Sequence, residues 1–279
     1  MAKTKITAAT KPVRPFLKWA GNKYQILHRI QQHLPEGQRL VEPFVGSGAL
    51  FLNSEYKRYL LADSNLDLIN LYNLLKKEGP AFIQYCQNLF TGEYNNPESY
   101  YQFREEFNST EDVRRKSALF IYFNRHGYNG LCRYNKKGGF NVPFGRYKKP
   151  YFPVDEMLYF HQKAKKATFK HQDFEKLVTA TKQGDVIYCD PPYVPLTDSA
   201  NFTAYSAGGF DLVQQHRLAE LANECQQRGV PVLISNHDTK LTRKIYKTAG
   251  KKKFFDVRRF ISCKGQKRNH ASEVLAVFA

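Results

Sequence analysis

Apolar positions in this chain fall into short runs at its two ends, with helical periodicity between them. "RLVEPF" (39–44), "RYLLAD" (58–63), "DVIYCD" (185–190) and "VPVLISN" (230–236) read as buried strands, being short apolar runs bounded by turn residues. "VGSG" follows the first as a tight loop, and "ALFLNSEY" follows that as a short helix. Further helices are predicted near 211–228 and 239–249. "DVRRFIS" and "SEVLAVF" close the chain as an antiparallel edge hairpin. Strand–helix alternation of this kind predicts an α/β fold, a doubly wound and mostly parallel sheet.

Residues 66–153 have a different character. "LDLINLYNLLKKEG" and "RRKSALFIYFNR" carry helical periodicity, and then "HGYNGLCRYNKKGGFNVPFGRYKKPYFP" turns to Gly, Asn and Tyr. The second stretch reads as a loop plus hairpin with "KKGG" at its turn. The expected organisation is therefore one α/β domain, residues 1–65 and 154–279, with a helical-plus-hairpin module, 66–153, inserted into it.

Charge adds a partner. Lys and Arg number 43 against 25 Asp and Glu, a net charge of +18. Residues 1–29 and 125–149 each hold seven basic and no acidic residues, and 240–268 hold twelve against one. A basic run is often only a solvated face, but three of them favour a polyanion. The middle run is interleaved with Tyr, Phe and Asn, which suits phosphate contacts combined with base contacts. No apolar run is long enough to span a bilayer, and the first residues lack the apolar stretch of a secretory signal. The five cysteines show no Cys-x-x-Cys spacing, so reduced thiols in a cytoplasmic protein and no metal site are expected. Cys189 invites a nucleophile reading, but a small buried strand residue is the commoner role of free Cys.

Gly46 and Gly48 in "EPFVGSGALF" stand between a strand and a helix, where glycines permit a tight turn and close approach of a ligand. The dinucleotide fingerprint would need a third glycine where Phe51 stands, which disfavours a pyrophosphate. Asp63 ends the next strand, where a carboxylate can meet ribose hydroxyls or, equally, cap the following helix. A nucleoside cofactor without a pyrophosphate fits, S-adenosylmethionine foremost. "DPPY" (190–193) raises the remaining question, because a strand that ends in a carboxylate, two imino acids and an aromatic either turns or grips something planar.

"FLKWAGNK" (16–23), "LVEPFVGSGALFLN" (40–53), "LADSN" (61–65), "YNGLCRYN" (128–135), "FNVPFGRYKKPYF" (140–152), "DPPYVPL" (190–196) and "LISNHD" (233–238) resemble the bacterial DNA adenine methyltransferases of the Dam type, D12 class. Glycine loop, target-recognition segment and "DPPY" follow one another in the alpha-type order. One departure is Asn22, where the family commonly has glycine; Asn tolerates left-handed φ, so the turn should survive.

The resemblance implies a seven-stranded Rossmann-like methyltransferase sheet with an inserted target-recognition domain. It further implies methyl transfer from S-adenosylmethionine to adenine N6 in duplex GATC, by base flipping and direct in-line displacement. Asp190 and the Pro191 carbonyl would accept the amino hydrogens, Pro192 would stiffen the turn, and Tyr193 would stack on the base. Trp19 and Lys23 would join Gly46, Gly48, Asp63 and Asp190 at the cofactor, although Trp19 as plain core competes. Tyr128 and Asn129 would lie at the disrupted stack, with Leu131 and Arg133 on base edges. Lys18 would meet the outer guanine, Pro143 a base and Arg146 the backbone. A local hydrophobic cluster is the competing reading of Tyr128 and Leu131. Asn236 and His237 receive no role beyond packing and loop geometry.

A monomer acting in the bacterial cytoplasm on nucleoid DNA is expected, serving mismatch-repair strand marking and replication control. Two alternatives stay open: an RNA adenine or cytosine-N4 amino-methyltransferase, and an inert DNA-binding protein that kept the fold.

Overall fold

The computed structural model describes residues 11–194, 210–258 and 270–279. The N-terminal tail, Cys263 and the Pro195–Leu196 end of the motif therefore lie outside the described residues. Five strands run parallel: β1 (Arg39–Glu42), β2 (Arg58–Asp63), β3 (Ala167–His171), β4 (Asp185–Cys189) and β5 (Val232–His237). β6 (Lys251–Arg258) and β7 (His270–Phe278) complete a seven-stranded sheet of order β3-β2-β1-β4-β5-β7-β6. β7 lies antiparallel between β5 and β6, so the expected hairpin is present, with β6 alone at the edge.

β6 begins at Lys251, ahead of the predicted "DVRRFIS". Its first three residues are lysines, which read as loop in a hydrophobic pattern but suit an edge strand, where charge discourages pairing with another sheet. β3, at the opposite edge, escaped notice because its five residues "ATFKH" bury only Ala167 and Phe169.

The central strands are mostly apolar along their length because both sheet faces are covered, with polar residues gathered at their ends. Along β4, Val186 and Tyr188 enter one core cluster while Ile187 and Cys189 enter the other, the two-residue alternation of a strand. Cys189 is fully buried and its thiol is pushed well above the ordinary range by desolvation. It is packing and not a nucleophile.

Helices α1 (Leu27–Gln31) and α2 (Ala49–Leu52) precede the module. α2 stops short of the predicted span because Asn53 folds its amide back onto the Ala49 carbonyl and across to Val13. The module holds α3 (Leu66–Glu78), α4 (Pro80–Gln87), α5 (Pro97–Ser109) and α6 (Val113–His126). Asn65 caps α3 and Asp112 caps α6 through backbone amides. α7 (Val154–Ala164), α8 (Phe174–Thr179), α9 (Leu212–Gln227) and α10 (Lys240–Ile245) follow. One hydrophobic cluster runs from the sheet face into the module, with Phe16, Tyr72 and Phe160 meeting ring to ring.

The expected β-hairpin of the module is reduced to two isolated bridges, Gly127 with Phe144 and Tyr134 with Phe140. Side chains replace the missing ladder. The Asn108 amide pairs with both backbone groups of Phe140, at 2.7 and 3.1 Å, as a neighbouring strand would. The predicted turn does form, closed by Asn135 and Gly139.

Candidate active site and nucleic-acid interface

The strand order reverses between β1 and β4, and outside the carboxyl ends of β1, β2 and β4 lies a cavity of about 730 Å³. Open α/β sheets bind ligands at such a switch point, and this volume suits a nucleoside-sized ligand. Of the residues singled out above, Trp19, Lys23, Gly46, Asp63 and all of Asp190–Tyr193 border it. Lys18, Tyr128, Asn129, Leu131, Arg133, Pro143 and Arg146 do not; all but Lys18 belong to the module, and Lys18 lies against it at Gly130 and Tyr147.

The glycine loop is held from three sides. Asp63 Oδ2 accepts the Gly46 amide at 3.0 Å, and Tyr72 donates its hydroxyl to the Gly46 carbonyl at 2.6 Å. Gly46 has φ +46°, and a Cβ there would stand 2.8 Å from Trp19 Nε1. Glycine is required twice over, by backbone and by space. Gly48 (φ +70°) makes the turn into α2 and does not border the cavity. Asp63 Oδ1 accepts from the Asn65 amide, while the cap of α3 is Asn65 itself. Asp63 thus orders the turn and still faces the cavity, its carboxyl raised by burial against the pull of three backbone donors. Trp19 is half-buried along the cavity wall instead of being plain core. In the 19–23 turn the left-handed residue is Gly21 (φ +74°), not Asn22. Asn22 instead accepts the Tyr24 amide with its side chain, so the departure from glycine is tolerated by an Asx turn and not by left-handed φ.

Asp190 sits at the end of β4 in a polar cluster. Its Oδ1 lies 3.0 Å from Lys23 Nζ and accepts from Ser235 Oγ at 3.0 Å. Lys23 also stands 4.4 Å from the ring centre of Tyr193, whose hydroxyl donates to Glu273 Oε2 at 3.1 Å. Burial pushes the Asp190 carboxyl above its ordinary range, and Lys23 pulls it part of the way back.

Three features of this site were not legible in the pattern. Glu42, at the end of β1, borders the cavity with its Oε1 buried and without a hydrogen-bond partner among the described residues. Desolvation first, and then the neighbouring Asp190, raise its carboxyl well above the usual range. Asn236 accepts the amides of Val194 and His237 and donates to Gln215 and Tyr246. Gln215 in turn donates to the Pro192 carbonyl at 2.7 Å, and His237 Nδ1 meets the Val194 carbonyl at 2.7 Å. "LISNHD" is thus more than core packing, because it braces the "DPPY" turn from below. Its signal was polar residues at the buried end of a strand, which demand partners.

On the module face, Tyr128 is 52% exposed, Asn129, Arg133, Pro143 and Arg146 are exposed, and Leu131 is half-buried. Tyr128 is therefore no part of a hydrophobic cluster, whereas Leu131 does pack on the core. Two loops are zipped together here: the Tyr128 amide bonds the Pro143 carbonyl, and the Asn129 amide bonds the Tyr147 hydroxyl. Asn129 (φ +54°) and Arg146 (φ +53°) are the positive-φ residues other than glycine among those described; such strain collects at functional sites. Asn141 holds the Arg133 guanidinium through its side chain (2.8 Å) and backbone carbonyl (3.0 Å). Lys18 crosses over Gly130 and ends 4.6 Å from the ring centre of Tyr147.

A switch-point cavity with a Gly-x-Gly loop, a carboxylate on the next strand and a terminal "DPPY" places the protein among the doubly wound methyltransferases. Residues 19–260 match the D12 class of N6 adenine-specific DNA methyltransferases. The DNA adenine methylase of Escherichia coli (strain K12) is 53% identical over 268 residues, 96% of each chain. That of Vibrio cholerae (strain ATCC 39315) is 51% identical over 269 residues, 96% of this chain and 97% of that one. That of Serratia marcescens is 49% identical, covering 96% and 99%. The chain belongs to the D12 class and is an adenine-specific DNA methyltransferase of the Dam type.

Proposed function

We propose that the protein methylates adenine N6 within duplex GATC, using S-adenosylmethionine and extruding the target base from the helix. The observation that carries this reading is the cluster of Lys23, Asp190 and Tyr193 opening onto the same cavity as Trp19, Gly46 and Asp63. The residues suit the donor. Asp63 offers a carboxylate to ribose hydroxyls, Trp19 an apolar wall, and Glu42 a buried carboxyl with an unpartnered oxygen that a cationic ligand would favour in its ionised form. S-adenosylmethionine, when bound, supplies an electrophilic methyl group on a sulfonium.

Adenine N6 is a weak nucleophile because its lone pair is shared with the ring. Asp190 accepts one of its hydrogens. The Pro192 carbonyl is committed inward to Gln215, which leaves that of Pro191 as the second acceptor. Prolines and the Asn236 brace keep these acceptors preorganised, so little reorganisation is needed as charge develops on the nitrogen. Tyr193 offers its ring to the base, with Lys23 already against it. Because the target atom is unreachable inside a duplex, the base must flip out.

The module face supplies the readout. Tyr128 and Asn129 support the opened stack, Arg133 forks onto guanine, Leu131 and Pro143 touch bases, Lys18 meets the outer guanine, and Arg146 meets the backbone. No described helix is long and apolar enough to cross a membrane. The net charge of +18 suits chromosomal DNA as substrate. On this proposal the protein acts on it as a monomer in the cytoplasm, where GATC methylation would mark strands for mismatch repair and time replication.

The test is labelled methyl transfer to duplexes identical except at GATC, followed by methylation-sensitive restriction mapping. Transfer confined to GATC is expected. Equal transfer to a GATC-free duplex or to structured RNA overturns the reading.

A further inference from the structure

Recognition and methyl transfer occupy separate faces, yet one short segment touches both. Residues 16–23 begin in the core with Phe16 and Leu17, send Lys18 onto the module face, and then run along the cavity through Trp19 and Lys23. What holds this strap to the module is the end of α6. Asn124 is 3% exposed, and its side chain pairs with both backbone groups of Lys18. Its Oδ1 accepts the Lys18 amide at 2.8 Å and its Nδ2 donates to the Lys18 carbonyl at 2.7 Å. The same Nδ2 reaches the Gly130 carbonyl at 3.3 Å, in the loop that carries Tyr128 and Asn129. Arg125 beside it donates to the Phe16 carbonyl.

Gly130 completes the joint. Its φ is +63°, and a Cβ there would meet Lys18 Cδ at 2.5 Å and the Asn124 carbonyl at 2.9 Å. Lys18 therefore lies directly on the recognition loop, at a height set by the Asn124 amide. One residue further along, Trp19 packs against Gly46. A displacement of the loop by bound DNA either breaks the 3.3 Å Asn124–Gly130 bond and opens the packing of Lys18 on Gly130, or is passed through Asn124 to Lys18 and along the backbone to the adjoining Trp19.

We infer that Asn124 is a positioning and specificity-determining residue: it seats Lys18 against the Tyr128–Gly130 loop and so ties readout of the outer base pair of GATC to the wall of the methyl-donor cavity. This rests on the function proposed above. Asn124 touches neither reacting atom, so its effect is exerted through Lys18 and the strap. Its amide is the side chain suited to the task, because only a group that both accepts and donates can pair with one residue's N–H and C=O together.

The test is a double-mutant cycle on the full-length protein. For wild type, Asn124→Ala, Lys18→Ala and the double variant, kcat/KM is measured on a GATC duplex and on duplexes altered at the outer base pair. Asn124→Ala is expected to cut discrimination at that pair about tenfold or more, the scale of one base contact. The double variant is expected to lose no more discrimination than Lys18→Ala alone. Unchanged discrimination in Asn124→Ala, or additive losses, overturns the inference and leaves Asn124 a packing residue that only lowers thermal stability.

Should Asn124→Ala fail to fold, the wild-type protein gives a second readout. Hydrogen exchange at the Lys18 amide is expected to slow on a GATC duplex more than on one altered at its outer pair, with a parallel change in Trp19 emission. Equal protection on both duplexes overturns it. Wild-type protein without any preference for GATC would instead overturn the functional reading, and this inference with it.

Discussion

Lys23 Nζ stands 3.0 Å from Asp190 Oδ1, joining the turn after the first segment of the chain to the end of a strand far along it. The pair is mostly withdrawn from water, with side-chain exposures of 9% and 20%, and both members border the same cavity. An ion pair in this setting tunes the acceptor more than it stabilises the fold, since the cost of desolvation offsets much of the attraction.

Lys23 lowers an Asp190 carboxyl that burial raises. In the proposed mechanism Asp190 accepts in its ionised form, so activity should fall as pH drops through its raised pKa. Removing the cation raises that pKa further. In Lys23→Met the acid limb of the kcat/KM profile should therefore move to higher pH, by about one to three units. An unmoved limb, at whatever residual rate, would show that Asp190 does not sense Lys23.

Asp190→Ala should reduce turnover by about a hundredfold or more, the usual effect of deleting one preorganised partner in a reacting centre. DNA affinity should change little, because the DNA contacts proposed above lie on the module face, away from Asp190. Single-turnover methyl transfer beside a gel-shift titration separates the two. Loss of DNA binding would mean that the variant is misfolded or that the faces are not separable.

Gly46→Ala puts a Cβ 2.8 Å from Trp19 Nε1 at φ +46°. Left-handed backbone alone costs about 1–2 kcal/mol for a side chain with Cβ, so donor affinity should fall by about tenfold or more. Trp19 is the single tryptophan, and quenching of its emission by S-adenosylmethionine reports the change directly. Wild-type affinity in the variant would remove Trp19 and Gly46 from the cavity wall.

Arg133→Ala should relax base preference within GATC by about 1–3 kcal/mol while leaving the salt dependence of binding nearly unchanged. Asn141→Ala should produce part of the same loss, because Asn141 holds the guanidinium at 2.8 and 3.0 Å. A uniform weakening on every duplex, with a shallower salt slope, would make Arg133 a phosphate contact.

Asn236→Ala removes four hydrogen bonds beneath the "DPPY" turn. Leaving buried partners unsatisfied costs about 1–3 kcal/mol for each stranded group, so the urea midpoint should fall. Turnover should fall further than stability explains, since Val194 and Gln215 both lose their anchor. A stability loss with kcat intact would confine Asn236 to packing.

How far the pattern reached can be judged from particular residues. Val186, Ile187 and Tyr188 announce a doubly buried strand because hydrophobic run length is a local property, and Asp190 falls at its end because the run stops there and two prolines follow. Gly46 and Asp63 were visible for the same reason, each being a residue type demanded by its own turn. Lys251, Lys252 and Lys253 misled because an edge strand tolerates charge that a central strand does not, and edge position is not local. Asn124 and Gln215 were silent: an amide in a helix looks like surface until its partners, far away in sequence, are brought to it.

By itself, then, the order of residues determined the strands, the glycine loop, the carboxylates at strand ends and the excess of positive charge, since each follows from chemistry within a few neighbouring positions. Only the tertiary structure decided that Lys23 meets Asp190, that Glu42 borders the cavity with an oxygen unpartnered among the described residues, and that Asn124 joins Lys18 to Gly130. Those relationships depend on which buried polar groups find one another when the sheet and the module close on a common core, and burial penalises every polar group that does not.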